Sequence, residues 1–332
     1  MRGMRFGTFI PQGWRQDLTG IDPREHWAVM RGLVEHADNG QAWESVWVYD
    51  HFHSVPDPNG EAVHEAWSLM NAFAAVTSRV RLGQMCTCMA YRNPAYLAKV
   101  ATTADVISGG RVEMGIGGGW YEHEWRAYGY GFPRAGERLR MLDEGVQILR
   151  QMWSTGTATL HGTHYDVEGA MLSPLPLQAG GPPLWVAGGG EKVTLRIAAQ
   201  HAAYTNFGGT PEAFAAKSAI LAEHCRAVGR DFEEITRSSN FNVVIAPTEA
   251  EVPALLDRYE AHYAKTLPAP RAASVREELR TGLLVGTPEQ IVERLGELAG
   301  LGLKYTICYF PMVAYDRSGQ ELFEREVIPA LA

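Results

Sequence analysis

The stretch Ser45 to His53 runs Ser-Val-Trp-Val-Tyr-Asp-His-Phe-His. An acid beside an imidazole can fix a histidine tautomer and pass a proton near neutral pH. Val46, Trp47, Val48 and Tyr49 are β-branched or aromatic and follow the Asp38-Asn39-Gly40 breaker, so a short buried strand leads into the pair. A buried strand has no use for Asp50 and His51 unless its end opens into a cavity. In parallel α/β proteins that end is where reactive side chains sit. Two other readings stand beside this one. The pair could be a core histidine tied to its neighbour, or His51 and His53 could be the His-x-His of a zinc hydrolase barrel. A metal site needs further ligands at other strand ends. Those ends are Met85-Cys86, Gly117, Gly188 and Asn206, a poor ligand set, and no metal is expected.

A second motif is Val186-Ala187-Gly188-Gly189-Gly190-Glu191-Lys192. A strand, three glycines and a helix start present free backbone N–H groups and the positive end of a helix dipole to an anion, and Lys192 can add charge. This is a phosphate cradle without the Walker spacing, or else a tight strand-to-helix turn. Gly117-Gly118-Gly119-Trp120 is a second glycine-rich strand end, where backbone comes close to something flat or bulky. Cys86-Thr87-Cys88 is the closest thiol pair, and a Cys-x-Cys alone reads as two small residues of a turn before it reads as a redox or metal pair.

These residues need elements to hold them. Strands are expected at Met4–Ile10, through Tyr49, at Val80–Met85, Val112–Ile116, Leu184–Ala187, Ala202–Asn206, within Ile235–Ile245 and at Lys304–Phe310. Helical spacing or proline starts mark Arg24–Asp38, His64–Thr77, Pro94–Ile107, Glu137–Trp153, Glu191–Gln200, Pro211–Val228, Glu249–Ala264 and Pro288–Leu298. About eight strand-helix units without a composition break fit an α/β fold, an eight-stranded parallel (β/α)8 TIM barrel, better than an open doubly wound sheet. One domain over 1–332 is expected, with loop or hairpin insertions near 120–136, 155–183 and 265–281. The net charge of −8 offers no electrostatic footprint for nucleic acid or an anionic membrane, so small-molecule chemistry is expected. Met1–Gly13 lacks the layout of a signal peptide, and the four cysteines are too few and scattered for a disulfide framework. The cytoplasm is the expected compartment.

Taken together, Asp50-His51-Phe52, Leu82-Gly83 through Tyr91-Arg92-Asn93-Pro94, Asp105 to Arg111, Gly115 to Trp120 and Pro183 to Lys192 resemble the luciferase-like monooxygenase superfamily. Within it they resemble the deazaflavin (coenzyme F420) dependent oxidoreductases. The motifs cover roughly the first two thirds of the chain. The resemblance implies a bacterial luciferase-like barrel that binds a flat ring at the C-terminal ends of its strands. It places Asp50 and His51 by the reactive edge of the ring, and a non-prolyl cis peptide between Met85 and Cys86 behind it. The cofactor set becomes Asp50, His51, Met85, Cys86, Thr87, Gly117, Gly118, Ala187, Gly188, Gly189, Gly190, Glu191, Lys192 and Asn206, with the phosphate at Gly188 to Gly190. Trp120, Tyr121 and Trp125 would roof a substrate pocket that Phe9 also lines.

The chain departs from the sugar-phosphate dehydrogenases of that branch. They carry a Trp four residues after the His and a Glu directly after the glycine-rich end of strand four, where this sequence has Val55 and Trp120. Glucose 6-phosphate is therefore not expected. The expected activity is hydride transfer between the deazaflavin C5 and a small, uncharged organic substrate, with His51 handling the proton and Asp50 fixing its tautomer or bonding the ring. An FMN-dependent monooxygenase or reductase is the alternative, and a metal hydrolase using His51 and His53 the lesser one. By resemblance, a homodimer is expected.

Overall fold

The computed structural model describes residues 3–332; Met1 and Arg2, the start of the stretch judged not to be a signal peptide, lie outside them. Eight strands close into a parallel barrel: β1 (Arg5–Phe9), β2 (Ser45–Val48), β3 (Arg81–Gln84), β4 (Val112–Gly117), β5 (Leu184–Ala187), β6 (Tyr204–Asn206), β7 (Thr236–Ile245) and β8 (Tyr305–Tyr309). Each pairs in parallel with the next, and β8 closes on β1. Helices on the outside join them, so the expected (β/α)8 barrel is what the chain forms.

The strands carry two apolar faces. Along β2 and its continuation, Val46 and Val48 face the helices while Trp47 and Tyr49 face the axis. The same period of two puts Phe9, Trp185, Tyr305 and Tyr309 inside. Trp47 meets Trp185 edge-on at 4.7 Å, and Trp185 stacks on Tyr204 at 4.0 Å. Room for Trp47 comes from Gly83, its partner on β3, where a Cβ would collide with the indole ring. Each such buried aromatic contributes on the order of 2–3 kcal/mol, and together they plug the barrel below its mouth.

Several helix boundaries follow local chemistry. Asn93 caps Pro94–Ser108 by accepting from the Ala95 and Tyr96 N–H groups, and left-handed Gly109 ends it. Thr287 and Gln290 form a capping box over Pro288–Gly300. The insertion near 155–183 is an antiparallel hairpin, Thr157–His161 with Asp166–Met171. Two expectations need correction. The loop 120–136 contains a helix, Glu122–Ala127, pinned by buried Trp125. The segment 265–281 is largely a 12-residue helix, Ala269–Arg280, whose apolar stripe of Ala272, Val275 and Leu279 packs on Tyr259 and Tyr263. Its many arginines and glutamates hide that stripe in the sequence. Among the described residues, no helix is long and apolar enough to cross a membrane.

Candidate active site

The C-terminal strand ends surround a cavity of about 380 Å³, within the range of small-molecule sites. Asp50, His51, Met85, Cys86, Gly117, Gly118, Trp120, Ala187 and Gly188 line it, so the structure brings together residues expected from four separate stretches. The Met85–Cys86 peptide is cis, as the resemblance implies.

His51 does not lean on Asp50. Its Nδ1 lies 2.8 Å from Oε2 of Glu124, a fully buried acid on the short helix after β4. The Glu124 carboxylate also accepts from the Tyr91 hydroxyl and from the Phe52 and His53 N–H groups. Burial alone would raise this acid, but the His51 contact and the backbone N–H groups hold it below its ordinary value. A carboxylate at Nδ1 makes that nitrogen the donor and leaves Nε2 for the cavity. Trp14 lies flat on the imidazole, centroids 4.2 Å apart and planes 2° from parallel.

Asp50 has another task, which corrects the expectation that it fixes the His51 tautomer. Both its oxygens pair with Arg92 at 2.7 and 2.8 Å, and one also accepts the Cys88 N–H. Arg92 reaches Glu65 at 2.8 Å as well. Cys86 is a wall residue: burial, then the Asp50 charge, push its thiol up to about 12, which disfavours the thiolate a nucleophile needs.

Other expected residues lie off the cavity wall. Phe9 is stacked beneath Tyr49 at 4.2 Å, as part of the barrel plug. Trp125 is buried behind the wall against Tyr91 and Phe132. Tyr121 bonds the Ser54 carbonyl and stacks on Trp120 from the side, while Trp120, 59% exposed, overhangs the mouth. Thr87 turns inward to Gln84, and the Asn206 amide bonds Ser238 while its carbonyl accepts the Gly188 N–H. Gly189, Gly190, Glu191 and Lys192 form the rim beyond Gly188, and the helix starts at Thr194 instead of Glu191. The Gly190 carbonyl accepts the Leu195 N–H across that turn.

This rim fits a phosphate. The Gly189, Gly190 and Glu191 N–H groups have no partner among the described residues, and Gly188 takes φ +112°, open to glycine. Lys217 supplies the nearby cation: its Nζ is 2.6 Å from Glu191, and its Cε would lie 3.4 Å from a Cβ on Gly189. Lys192 points to solvent. His51 and His53 diverge, the latter facing His123 at 2.9 Å on the surface, so they do not converge as hydrolase ligands would. Among the described residues no group of three or more His, Cys, Asp or Glu is placed to hold a metal ion.

A barrel whose strand ends carry this site has relatives. The family model for luciferase-like monooxygenases matches residues 4–305, and the chain belongs to that family. It is 33% identical over 201 residues, 59% of this chain, to a pyrimidine monooxygenase RutA of Acinetobacter baylyi, covering 53% of that protein. It is 33% identical over 168 residues to an F420-dependent glucose-6-phosphate dehydrogenase of Amycolatopsis mediterranei, 49% of each chain. The chain thus spans about half the length of the curated relatives it matches. A solved F420-dependent secondary alcohol dehydrogenase, held with an F420-acetone adduct, superposes over 100% of both chains with a TM-score of 0.79 at 20% identity, a likeness of fold.

Proposed function

We propose that this member of the family is a coenzyme F420-dependent oxidoreductase that moves a hydride between the deazaflavin C5 and a small organic substrate. The observation that carries the reading is the His51–Glu124 pair on the cavity wall, across from the phosphate-fitting rim at the end of β5. When bound, the deazaflavin supplies a ring carbon that exchanges hydride and not single electrons. Met85, Cys86, Gly117 and Gly118 would hold the ring, and the Gly188 to Glu191 rim with Lys217 its phosphate.

Hydride transfer to a carbonyl, or from an alcohol, leaves one proton to deliver or remove. His51 would move that proton at Nε2, and Glu124, charged and buried at Nδ1, balances the imidazolium when it forms. Trp14 restrains the imidazole plane, and Trp120 shields the mouth from water. Asp50 is a positioning residue: clamped by Arg92, it receives the Cys88 N–H and so fixes the backbone at Cys88.

A second reading is an FMN-dependent monooxygenase or reductase on the same barrel, which the equally similar pyrimidine monooxygenase supports. Titrating the purified protein separately with F420 and FMN, with tryptophan fluorescence as the signal, decides between them. The expected result is F420 binding at least ~10-fold tighter than FMN, about 1.4 kcal/mol. FMN preference would overturn the deazaflavin reading, and binding of neither would overturn both.

A further inference from the structure

The cavity wall made by the end of β1 carries a cation that no acid of the described residues meets in a direct ion pair. Arg15 follows Trp14 into the cavity. Its guanidinium lies among aromatic rings, 4.6 Å from the Tyr309 centroid, 5.3 Å from Trp14 and 5.7 Å from Tyr49. One side-chain partner meets it, the neutral Oδ1 of Asn242 at 2.7 Å. Its Nε is buried with no acceptor, and so are Trp14 Nε1 and the Tyr49 hydroxyl. Asp17 is the acid that attracts Arg15, yet it spends its oxygens on the Gly13 N–H and the Tyr309 hydroxyl. Burial pushes the Asp17 carboxyl up to about 6; an acid paired with a guanidinium would move the other way.

A cation held among aromatic rings without a direct ion-pair partner is costly, and a ligand anion in the cavity would offset that cost. The three residues that carry these unpartnered buried groups, two of the groups able only to donate, line one cavity with aromatic walls. Their complement is an acceptor-rich, planar anion. The position also separates this anion from the cofactor phosphate. In an eight-stranded barrel β1 and β5 lie opposite one another, so Arg15 faces the glycine rim from across the mouth. It is, however, next to the proton-handling group, since Trp14 stacks on His51.

We infer that Arg15, with Tyr49 and Trp14, binds the carboxylate of a small monocarboxylic substrate, holding it beside His51. The inference rests on the reading of this cavity as the place where substrate meets the cofactor ring. It replaces the expectation of an uncharged substrate with a negatively charged one. A small acid suits the space, because a cavity of about 380 Å³ must also admit part of the ring.

The test uses matched probes of one shape, benzoate and benzamide, titrated calorimetrically into the protein loaded with whichever cofactor binds, or as purified if neither does. In the wild type, benzoate should bind at least ~10-fold tighter than benzamide, as charge-assisted pairing to a buried guanidinium requires. Arg15→Met should bring that ratio to about one with cofactor affinity unchanged. Arg15→Lys keeps the charge and loses the fork, and should weaken benzoate ~10-fold while sparing benzamide; it carries the test if Arg15→Met does not fold. No benzoate preference in the wild type, or a preference that survives Arg15→Met, overturns the inference. So does a variant that loses cofactor binding and keeps the benzoate ratio, which would assign Arg15 to the cofactor. Cofactor titration of the wild type is separate: its failure overturns the redox reading alone, whereas a benzoate ratio of one with intact cofactor binding overturns only the anion site.

Discussion

Two walls of one cavity treat charge in opposite ways. On the wall built from the ends of β2 and β4, every buried acid has its donors: Asp50 holds Arg92 through both oxygens and accepts the Cys88 N–H, and Glu124 accepts from His51, Tyr91 and two backbone N–H groups. On the wall built from the end of β1 with β7 and β8, Arg15 has one neutral partner, and the buried Trp14 Nε1 has none. The first wall pairs its buried acids as folded, and its work is to hold His51 and the backbone at Cys88 in place. The second is complete only with a ligand. Substitutions should therefore cost stability or turnover on the first wall and affinity on the second.

The largest effect is expected where a saturated pair is broken. Arg92→Met leaves the buried Asp50 carboxylate without its counter-charge, which costs about 3 to 5 kcal/mol. Urea unfolding of the variant against wild type measures it. A loss below about 1 kcal/mol would mean that the pair behaves as a surface ion pair, and the contrast between the walls would fail. Glu124→Gln acts on turnover instead. Both carboxylate oxygens are acceptors, so an amide must turn its NH₂ either toward His51 Nδ1 or toward the Phe52 and His53 N–H groups. The first choice reverses the histidine tautomer, and an acid-to-amide change under a catalytic histidine costs about 10⁴-fold in serine proteases. Here kcat should fall roughly 10²- to 10⁴-fold, the usual share of one proton-transfer group, with cofactor affinity unchanged and Glu124→Asp recovering part of the rate. Steady-state kinetics at several pH values check this, and an unchanged kcat would remove Glu124 from the proton path.

The barrel was legible because its signals are local: β-branched and aromatic runs before glycine-rich ends, Asn93-Pro94 and Thr287-Pro288 at helix starts, and glycines where strands open. His51, Met85, Cys86, Gly117 and Gly188 could be placed at the mouth because each sits at or just past a strand end, while the roles of Met85 and Cys86 came only with the resemblance. What the sequence hides is pairing across distance. Asp50 adjoins His51 in the chain, yet successive residues of an extended segment point apart, so the neighbour in sequence serves Arg92 and the neighbour in space is Glu124, 73 residues on. The acids at Glu122 and Glu124 were a signal, but nothing in a one-dimensional pattern says that a one-turn helix will swing the second of them under the imidazole. Arg15 is hidden for the converse reason. A lone arginine after a Pro-Gln-Gly turn reads as solvated, and only its burial among Tyr49, Trp14 and Tyr309 gives it meaning.

The glycine rim extends the comparison to a third region, where the smallest effect is expected. Its N–H groups are open like the donors around Arg15, but they lie at the surface, where water satisfies them at little cost. The cation beside them, Lys217, is already paired with exposed Glu191. Such a pair contributes about 0 to 1 kcal/mol when exposed, so an arriving phosphate can take Lys217 from Glu191 almost without penalty. Lys217→Met should therefore weaken cofactor binding only about 10-fold, or 1.4 kcal/mol, leaving the melting temperature and kcat at saturating cofactor unchanged. Cofactor titrations at two salt concentrations measure it, because the lost charge also flattens the salt dependence. If the affinity of the variant equals that of the wild type, the backbone N–H groups hold the phosphate alone. If it falls 100-fold or more, about 2.7 kcal/mol, the rim resembles the Arg15 wall more than its exposure suggests, and burial on binding must close over it.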